Sequence, residues 1–363
     1  MTDLKNSQEL QSQVIDFLRF PLVICVIFIH NFTSTVQIDG GIIYGESSIN
    51  LPFMYYCSNF FSKIISSIAV PLFFFMAGFL FFLNVDEFSG QIYKNKLSRR
   101  TKSLLIPYLF WNFAVFVFHY AVSFIPRLNH YINFKVDWHD FFSYFWRNSE
   151  SGMPIAYQFW FIRDLMINVL LTPFIYFFCK KTNIYGILLL GILWYHFERQ
   201  FDAVGISAVS VFFFTAGAYF GINKRNLLED FGKLKSISFV LYPIIAVADL
   251  LTRQCDFNGY IHKTGIIIGI MFWFNLVSYL FEKQKIRQTK FLSAASFFVF
   301  AIHAHLVVSF RKISYMIFLP QSDLVITSLY FSNVILTALA ALGIYYVLRL
   351  YLPTFTDIIT GGR

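Results

Sequence analysis

The most informative shortage in this sequence is a shortage of charge. Only 13% of the 363 residues are Asp, Glu, Lys or Arg, about half of the roughly 25% that soluble globular chains carry. A soluble fold of this length could not cover its surface with so few charged side chains. A lipid-embedded bundle can, because only its helix ends and loops face water. With 57% hydrophobic and 21% aromatic residues, the composition predicts an integral membrane protein.

Cysteine is scarce as well, and its placement excludes two kinds of framework. The four cysteines are scattered, without a CxxC pair or a histidine partner at metal-ligand spacing, so neither a zinc ribbon nor a disulfide framework is predicted. We expect no metal cofactor. The net charge of +9 would suit a nucleic-acid partner, but the cations lie in short clusters between apolar runs, and we expect no nucleic acid.

Ten apolar stretches, of which the fifth is short, approach the length of about 20 residues that a helix needs to cross a bilayer. Backbone groups in lipid must be satisfied within the segment, so these stretches are expected to be helical. The sequence therefore predicts an all-α integral membrane bundle of about ten transmembrane helices, forming a single domain over residues 1–363. The spans are predicted near residues 14–33, 57–83, 103–125, 158–178, 184–198, 204–222, 236–252, 262–281, 291–310 and 325–349.

The distribution of Lys and Arg predicts the orientation. If the N-terminus is cytoplasmic, the inner segments hold most of these cations, including the basic run 94–102, as expected for cytoplasmic loops. With ten spans both termini are then cytoplasmic, and we expect a multi-pass protein of the cell's inner (cytoplasmic) membrane. The two longest outer segments, 33–56 and 126–157, are rich in aromatic and small polar residues. They fit either an aromatic belt at the interface or a platform for a saccharide.

Two Phe-rich runs, 73–79 and 212–218, share the pattern Phe-Phe-Phe-x-Ala-Gly. Small residues at such positions allow helix backbones to approach closely. The repeat is explained either by a repeated architecture or by a general abundance of Phe, and because the two matches are short we favour the abundance of Phe.

Ionisable side chains inside a membrane span are costly and are therefore functional candidates. The first span carries Asp16, Arg19 and His30. Asp16 and Arg19 are i,i+3 neighbours and can pair. Arg19 and His30 are separated by about 16.5 Å of helix rise and about 20° of rotation, so they lie on one face, with Arg19 near the cytoplasm. A snorkelling arginine and an interfacial histidine would be the structural alternative. We favour a catalytic group of His30, Arg19 and Asp16, because they occur together on an otherwise apolar helix.

The basic run continues into the third span and contains Arg99, Arg100 and Lys102. It is either ordinary positive-inside charge or an anion site at the cytoplasmic entrance, where Arg binds phosphate in a bidentate manner.

Two further groups lie within the later spans. Trp160 precedes the adjacent opposite charges Arg163 and Asp164, and the ninth span contains His303 with His305 two residues later. The two histidines are about 200° apart on a helix, so only one of them can face the bundle interior.

Taken together, these residues resemble the signature of the membrane-bound acyltransferase family 3. The resemblance implies ten helices, a cytoplasmic acyl-CoA donor, commonly acetyl-CoA, and transfer of the acyl group to a glycan or lipid-linked sugar at the outer face. Such O-acetylation modifies a polysaccharide. In the order of the family's motifs, the matching segments are Arg19-x10-His30, 69–79, 99–108, 160–165 and 296–303.

The resemblance also implies roles for individual residues. The residues that it implies bind the acceptor are Trp160, Arg163, Asp164 and His303. The residues that it implies bind the donor are Arg19, Arg99, Arg100 and Lys102. Two departures matter: Ala77 stands where the family has serine, and the paired arginines of the third helix are represented by Arg99 and Lys102, with Arg100 between them.

These assignments suggest a mechanism. The polyanionic head of an acyl-CoA cannot enter hydrocarbon, whereas its thin, neutral pantetheine arm can pass between helices and bring the thioester towards His30. An imidazole, with an ordinary pKa of about 6.5, is suited to take a proton from an acceptor hydroxyl. A transporter or flippase for a lipid-linked saccharide is the alternative. It explains the spans and the buried charges, but it gives no reason for Arg19 and His30 on one face.

Overall fold

The computed structural model describes residues 2–32, 35–38, 41–45, 51–125, 136, 138–139, 141–147, 152–197, 206–320 and 322–362. Helices account for most of this part of the chain. In chain order they are α1 (Thr2–Asn31), α2 (Pro52–Ser58), α3 (Ala69–Phe82), α4 (Gly90–Arg100), α5 (Ile106–Ser123), α6 (Trp160–Leu170), α7 (Thr172–Phe197), α8 (Ala208–Ile222), α9 (Leu227–Gly232), α10 (Lys235–Leu251), α11 (Asn258–Glu282), α12 (Lys290–Phe318), α13 (Asp323–Tyr351) and α14 (Pro353–Thr360).

The helices are accompanied by a short antiparallel hairpin of β1 (Thr35–Ile38) and β2 (Gly41–Gly45). The prediction of a purely helical fold did not include this hairpin. Its residues are rich in Val, Ile, Thr and Tyr, which favour strands, and an Asp-Gly dipeptide lies between the two strands in the sequence, as is common in tight hairpins.

Seven helical segments among the described residues are long and apolar enough to cross a membrane, and the protein is a multi-pass membrane protein. Two of these segments each combine two α-helices. In the first, α2 continues into α3 through a π-helical segment (Asn59–Ile65) and a 3-10 turn. In the second, α4 continues into α5 through a π-helical turn (Thr101–Leu105). The seven segments are Ser7–Asn31, Pro52–Phe82, Gly90–Ser123, Thr172–Phe197, Asn258–Glu282, Lys290–Phe318 and Asp323–Tyr351.

The remaining predicted spans correspond to shorter helices. α6 has 11 residues, α8 has 15 and α10 has 17. Inside α7, Asn183 has the non-helical angles φ 53° and ψ −142°. This break lies where the sequence placed the boundary between the fourth and fifth spans.

The contacts of the chain group into two compact units. Unit 1 comprises Met1–Met76 and Asn223–Val347, and unit 2 comprises Ala77–Ile222 and Leu348–Arg363. In unit 1, α1 packs along α12, and α10 packs along α11. In unit 2, α7 and α6 pack against α8. That residues 1–363 form a single domain stays a prediction.

The two Phe-rich runs meet within unit 2. A Cβ atom added at Gly78 would overlap the carbonyl group of Phe214, and one added at Gly221 would lie 2.6 Å from the carbonyl oxygen of Phe79. The backbones of α3 and α8 therefore touch at their glycines. Small residues in these runs allow this close approach, as expected for membrane helices.

Substituting Gly78 should test this contact. Gly78→Ala is expected to lower the free energy of unfolding by about 1–3 kcal/mol, because the added methyl group must push two backbones apart. Gly343→Ala is the matched control, since a Cβ at Gly343 meets nothing within 4 Å. Thermal unfolding in detergent would measure both, and equal midpoints would contradict the close packing.

Candidate active site

The last turn of α1 carries His30, and side chains from outside the helix cap its carbonyl groups. The last carbonyls of a helix have no intrahelical partner. The Ser62 hydroxyl donates to the Phe28 carbonyl at 2.5 Å. The Arg311 guanidinium, from α12, donates to the carbonyls of Asn31 at 3.1 Å and His30 at 3.4 Å. These bonds hold the turn from which the His30 side chain projects.

Tyr330 of α13 completes this network. The Asn31 amide donates to the Tyr330 carbonyl at 2.8 Å, and the Tyr330 hydroxyl lies 2.6 Å from Ser62 Oγ. Because the Ser62 proton is directed to the Phe28 carbonyl, the Tyr330 hydroxyl must be the donor to Ser62. The end of α1 is thus bonded to the π-helical segment, to α12 and to α13.

His303 on α12 faces His30. The two imidazole rings have centroids 5.0 Å apart and planes inclined at 49°. His303 is fully buried, and its Nδ1 lies 2.5 Å from the Phe300 carbonyl. A carbonyl can only accept, so Nδ1 carries a proton, and in the neutral ring Nε2 is then an acceptor. This Nε2 has no partner among the described residues. His305, by contrast, is partly exposed.

The Asp16–Arg19 pair forms as the sequence predicts. Arg19 Nη2 lies 3.1 Å from Asp16 Oδ1, with both side chains about one third exposed. Two groups near the start of α12 bind the same turn, since Gln288 donates to the Asp16 carboxylate at 3.3 Å and Ser293 donates to the Asp16 carbonyl at 3.0 Å. A partly exposed pair of this kind contributes little to stability, so its presence on a membrane helix favours a functional role.

Two basic residues near His30 were missed by the sequence reasoning. Lys63 lies in the π-helical segment, with Nζ 4.2 Å from the centroid of the Phe32 ring and within electrostatic range of His30. Arg311 lies one residue beyond the predicted ninth span, 291–310, but within α12. A lysine in the middle of an apolar span was the available signal for Lys63. Nothing in the sequence pairs Arg311 with α1.

The basic run lies in unit 2. Arg99 and Arg100 end α4, and Lys102 lies on the π-helical turn that follows. Arg99 and Lys102 are exposed and Arg100 is half-buried. The following turn is packed by the C-terminal segment, because a Cβ at Gly361 would lie 2.6 Å from the Ser103 carbonyl oxygen. The run can present charge to a ligand in the aqueous phase.

Arg163 and Asp164, at the start of α6, form a buried ion pair in unit 2 at 3.3 Å. Asp164 is completely buried and also accepts from the Ser207 backbone N–H at 2.8 Å and hydroxyl at 2.7 Å. Arg163 donates to the carbonyls of Trp146 and Gly152, while Trp160 is half-buried on the same helix. These bonds connect α6 to the preceding segment, and acceptor binding by this group stays a prediction.

Two other expectations concern metal ions and the outer segments. Among the described residues, no three His, Cys, Asp or Glu side chains are placed to hold a metal ion. Much of the outer segments 33–56 and 126–157 lies outside the described residues, so a saccharide platform there stays a prediction.

Comparison with known proteins gives two matches. The family model of the acyltransferase domain, acyltransferase family 3, matches residues 13–350. The protein named succinoglycan biosynthesis protein ExoH, from Rhizobium meliloti (strain 1021), is 22% identical over 313 residues, covering 84% of this chain and 81% of its own. No solved structure matches.

Proposed function

Because the chain belongs to acyltransferase family 3, as its motifs predicted, we propose that it transfers an acyl group from cytoplasmic acyl-CoA to a glycan hydroxyl. The donor is acetyl-CoA, and the acceptor is an extracytoplasmic or lipid-linked glycan. ExoH is named for succinoglycan biosynthesis, which supports a polysaccharide as the acceptor. The reaction is thus an O-acetylation in a multi-pass protein of the inner membrane.

The observation that carries this proposal is the His30–His303 pair at the capped end of α1. The reaction needs a base that is held in position. Bonds from Ser62 and Arg311 hold the turn of His30, and the His303 ring lies 5.0 Å from the His30 ring. A group constrained in this way suits proton transfer better than a flexible surface histidine would.

The chemical steps follow from these groups. An imidazole nitrogen of His30 takes the proton of the acceptor hydroxyl as that oxygen attacks the thioester carbonyl carbon. The C–S bond of the resulting tetrahedral intermediate then breaks, and the sulfur leaves as a thiolate. The thiolate takes the proton from His30, which returns to the neutral form. His303 Nε2 accepts a hydrogen bond from a hydroxyl of the acceptor sugar, and we favour direct transfer without an acyl-enzyme.

We assign the donor headgroup to basic residues. Arg19 has a charged partner in Asp16, and it lies about 16.5 Å of helix rise from His30. Arg99, Arg100 and Lys102 supply three cations at the start of the third long helical segment. The proposal includes ten spans with both termini in the cytoplasm, which leaves these cations on the side where acyl-CoA is available.

The reaction itself can be tested directly. Purified protein in lipid vesicles would be incubated with radiolabelled acetyl-CoA and a glycan extract of the source organism's envelope. Label is expected in the glycan fraction, with CoA released in equal amount. Movement of lipid-linked sugar across the vesicle membrane without consumption of acetyl-CoA would favour the transporter alternative.

The donor assignment predicts a change in CoA affinity. The double substitution Arg99→Ala, Arg100→Ala is expected to raise the Kd for CoA about tenfold, because charged hydrogen bonds to phosphate are lost from a partly exposed and therefore screened site. Isothermal titration with CoA would measure it. Lys94→Ala is the matched control on the same helix, since Lys94 is also exposed. An unchanged Kd in the double variant would leave the run a topology signal only.

A further inference from the structure

Six side chains in unit 1 have buried hydrogen-bonding atoms without a partner among the described residues. Besides Ser66 Oγ, the Tyr242 hydroxyl and His305 Nε2, these atoms are His303 Nε2, Asn31 Oδ1 and both amide atoms of Asn333. Asn31 and Asn333 are each 1% exposed. The Asn31 amide nitrogen still donates to the Tyr330 carbonyl. In Asn333, by contrast, neither the amide nitrogen nor the amide oxygen has a hydrogen-bond partner among the described residues. Unmatched polar groups are costly in a membrane interior, which makes Asn333 the residue that most requires a ligand.

The helix contacts fix where Asn333 lies relative to His30. α1 and α12 run parallel, because Ser293 meets Asp16 and His303 meets His30. α13 runs antiparallel to both, because Tyr330 is bonded to Asn31 at the end of α1, whereas the Tyr345 ring lies 5.7 Å from the Phe298 ring in the first third of α12.

Asn333 is one turn beyond Tyr330 on α13, about 4.5 Å along the helix axis, and the Tyr330 carbonyl is bonded to Asn31. Because α13 is antiparallel to α1, the direction from Tyr330 to Asn333 leads away from the capped end of α1 and towards the end of the unit where Asp16 lies. Asn333 is therefore displaced from the end of α1 in the direction from which the proposed donor arrives.

We propose that Asn333 binds the amide groups of the donor's pantetheine arm. This inference rests on the proposed function. The arm carries two amides, and the first of them is separated from the thioester sulfur by only two methylene groups. When the thioester is at His30, these amides pass through a membrane interior in which they need partners. Asn333 supplies an acceptor for an amide N–H and a donor for an amide carbonyl. A sugar hydroxyl could meet the same atoms, and the test distinguishes the two ligands.

The test compares two donors in wild type and Asn333→Leu, a substitution of similar size without polar atoms. With acetyl-CoA and the envelope glycan extract, Asn333→Leu is expected to raise the KM for the donor about tenfold, as for a lost buried hydrogen bond. The kcat at saturating donor and the KM for the extract should stay within about twofold. The second donor is an acetyl-CoA analogue in which esters replace the pantetheine amides. Its KM should be raised in wild type, because an ester has no N–H group to donate to Asn333 Oδ1. Asn333→Leu should raise the KM for this analogue by less than it raises the KM for acetyl-CoA, because one of the two bonds to Asn333 is already absent.

Thr337→Val is the matched control. Thr337 is also fully buried and lies one turn further along α13, but its hydroxyl donates to the Asn333 carbonyl at 2.7 Å, so no effect on the donor KM is expected. The unfolding midpoint of Asn333→Leu should be unchanged or raised, since no bond within the protein is broken. If this variant does not fold, the smaller Asn333→Ser replaces it, with the same expected rise in KM.

Each contrary result has its own meaning. An unchanged donor KM, or effects of the variant and the analogue that multiply independently, would overturn the assignment of Asn333. A raised KM for the glycan extract alone would overturn it in favour of sugar binding. Wild-type protein that consumes no acetyl-CoA would overturn the proposed function, and the assignment with it.

Discussion

His30→Ala is expected to reduce acyl transfer by about 10²–10⁴-fold, the usual effect of losing a positioned general base, while CoA still binds. An acceptor hydroxyl is a poor nucleophile until its proton is removed, and the neutral imidazole of His30 is proposed to remove it. The groups proposed to hold the CoA phosphates lie elsewhere, with Arg19 about 16.5 Å away by helix rise. The variant should therefore lower kcat without raising the Kd for CoA.

Arg19→Ala provides the contrast on the same helix. It is expected to weaken donor binding and to leave Asp16 without the partner that now lies 3.1 Å away. Transfer rates at saturating acetyl-CoA, together with CoA titrations, would separate the two variants. If His30→Ala retained wild-type transfer, the catalytic assignment would fail and the transporter alternative would gain support.

The features of the fold that the sequence could predict are those set by local physics. A helix that crosses lipid must be long, apolar and internally hydrogen-bonded, so α1, α11, α12 and α13 were predictable from hydropathy alone. The three shorter helices α6, α8 and α10 have 11, 15 and 17 residues, and their membrane crossing stays a prediction. Their ends were less predictable, because an apolar run does not reveal where a helix stops. The break at Asn183 coincides with a predicted boundary, but its backbone geometry could not be inferred.

The candidate site was predictable to a smaller extent. Helix periodicity and the motif order identified His30 and His303 separately, but spacing along the chain does not show that two distant rings meet. The bonds from Arg311 and Ser62 to the end of α1 depend on how the helices pack. They involve backbone carbonyls, which leave no trace in a sequence pattern. Lys63 could have been found, since it is an ionisable residue inside a predicted span.

His303 is expected to give the second large effect, a loss of up to about 10²-fold in transfer for His303→Ala, as for a buried hydrogen bond to the substrate that is lost, whereas His305→Ala should be mild. His303 is fully buried and His305 is partly exposed. The competing explanation is that His303 is only a core residue that donates from Nδ1 to the Phe300 carbonyl. A loss of activity in the alanine variant alone would fit both explanations, because alanine removes both ring nitrogens.

Two further substitutions at this position separate the ring nitrogens. The amide of His303→Asn can reproduce the Nδ1 donor to Phe300 but provides no acceptor at the Nε2 position, whereas His303→Gln reaches the Nε2 position and loses the Nδ1 bond. If Nε2 binds the acceptor hydroxyl, the Gln variant should retain more transfer than the Asn variant and should have the lower KM for the glycan extract. If the role is structural, the Asn variant should keep both activity and unfolding midpoint. Because His303 Nε2 has no partner among the described residues while Nδ1 has one, the Nε2 side is the one available to a substrate, and we expect the Gln variant to be the more active.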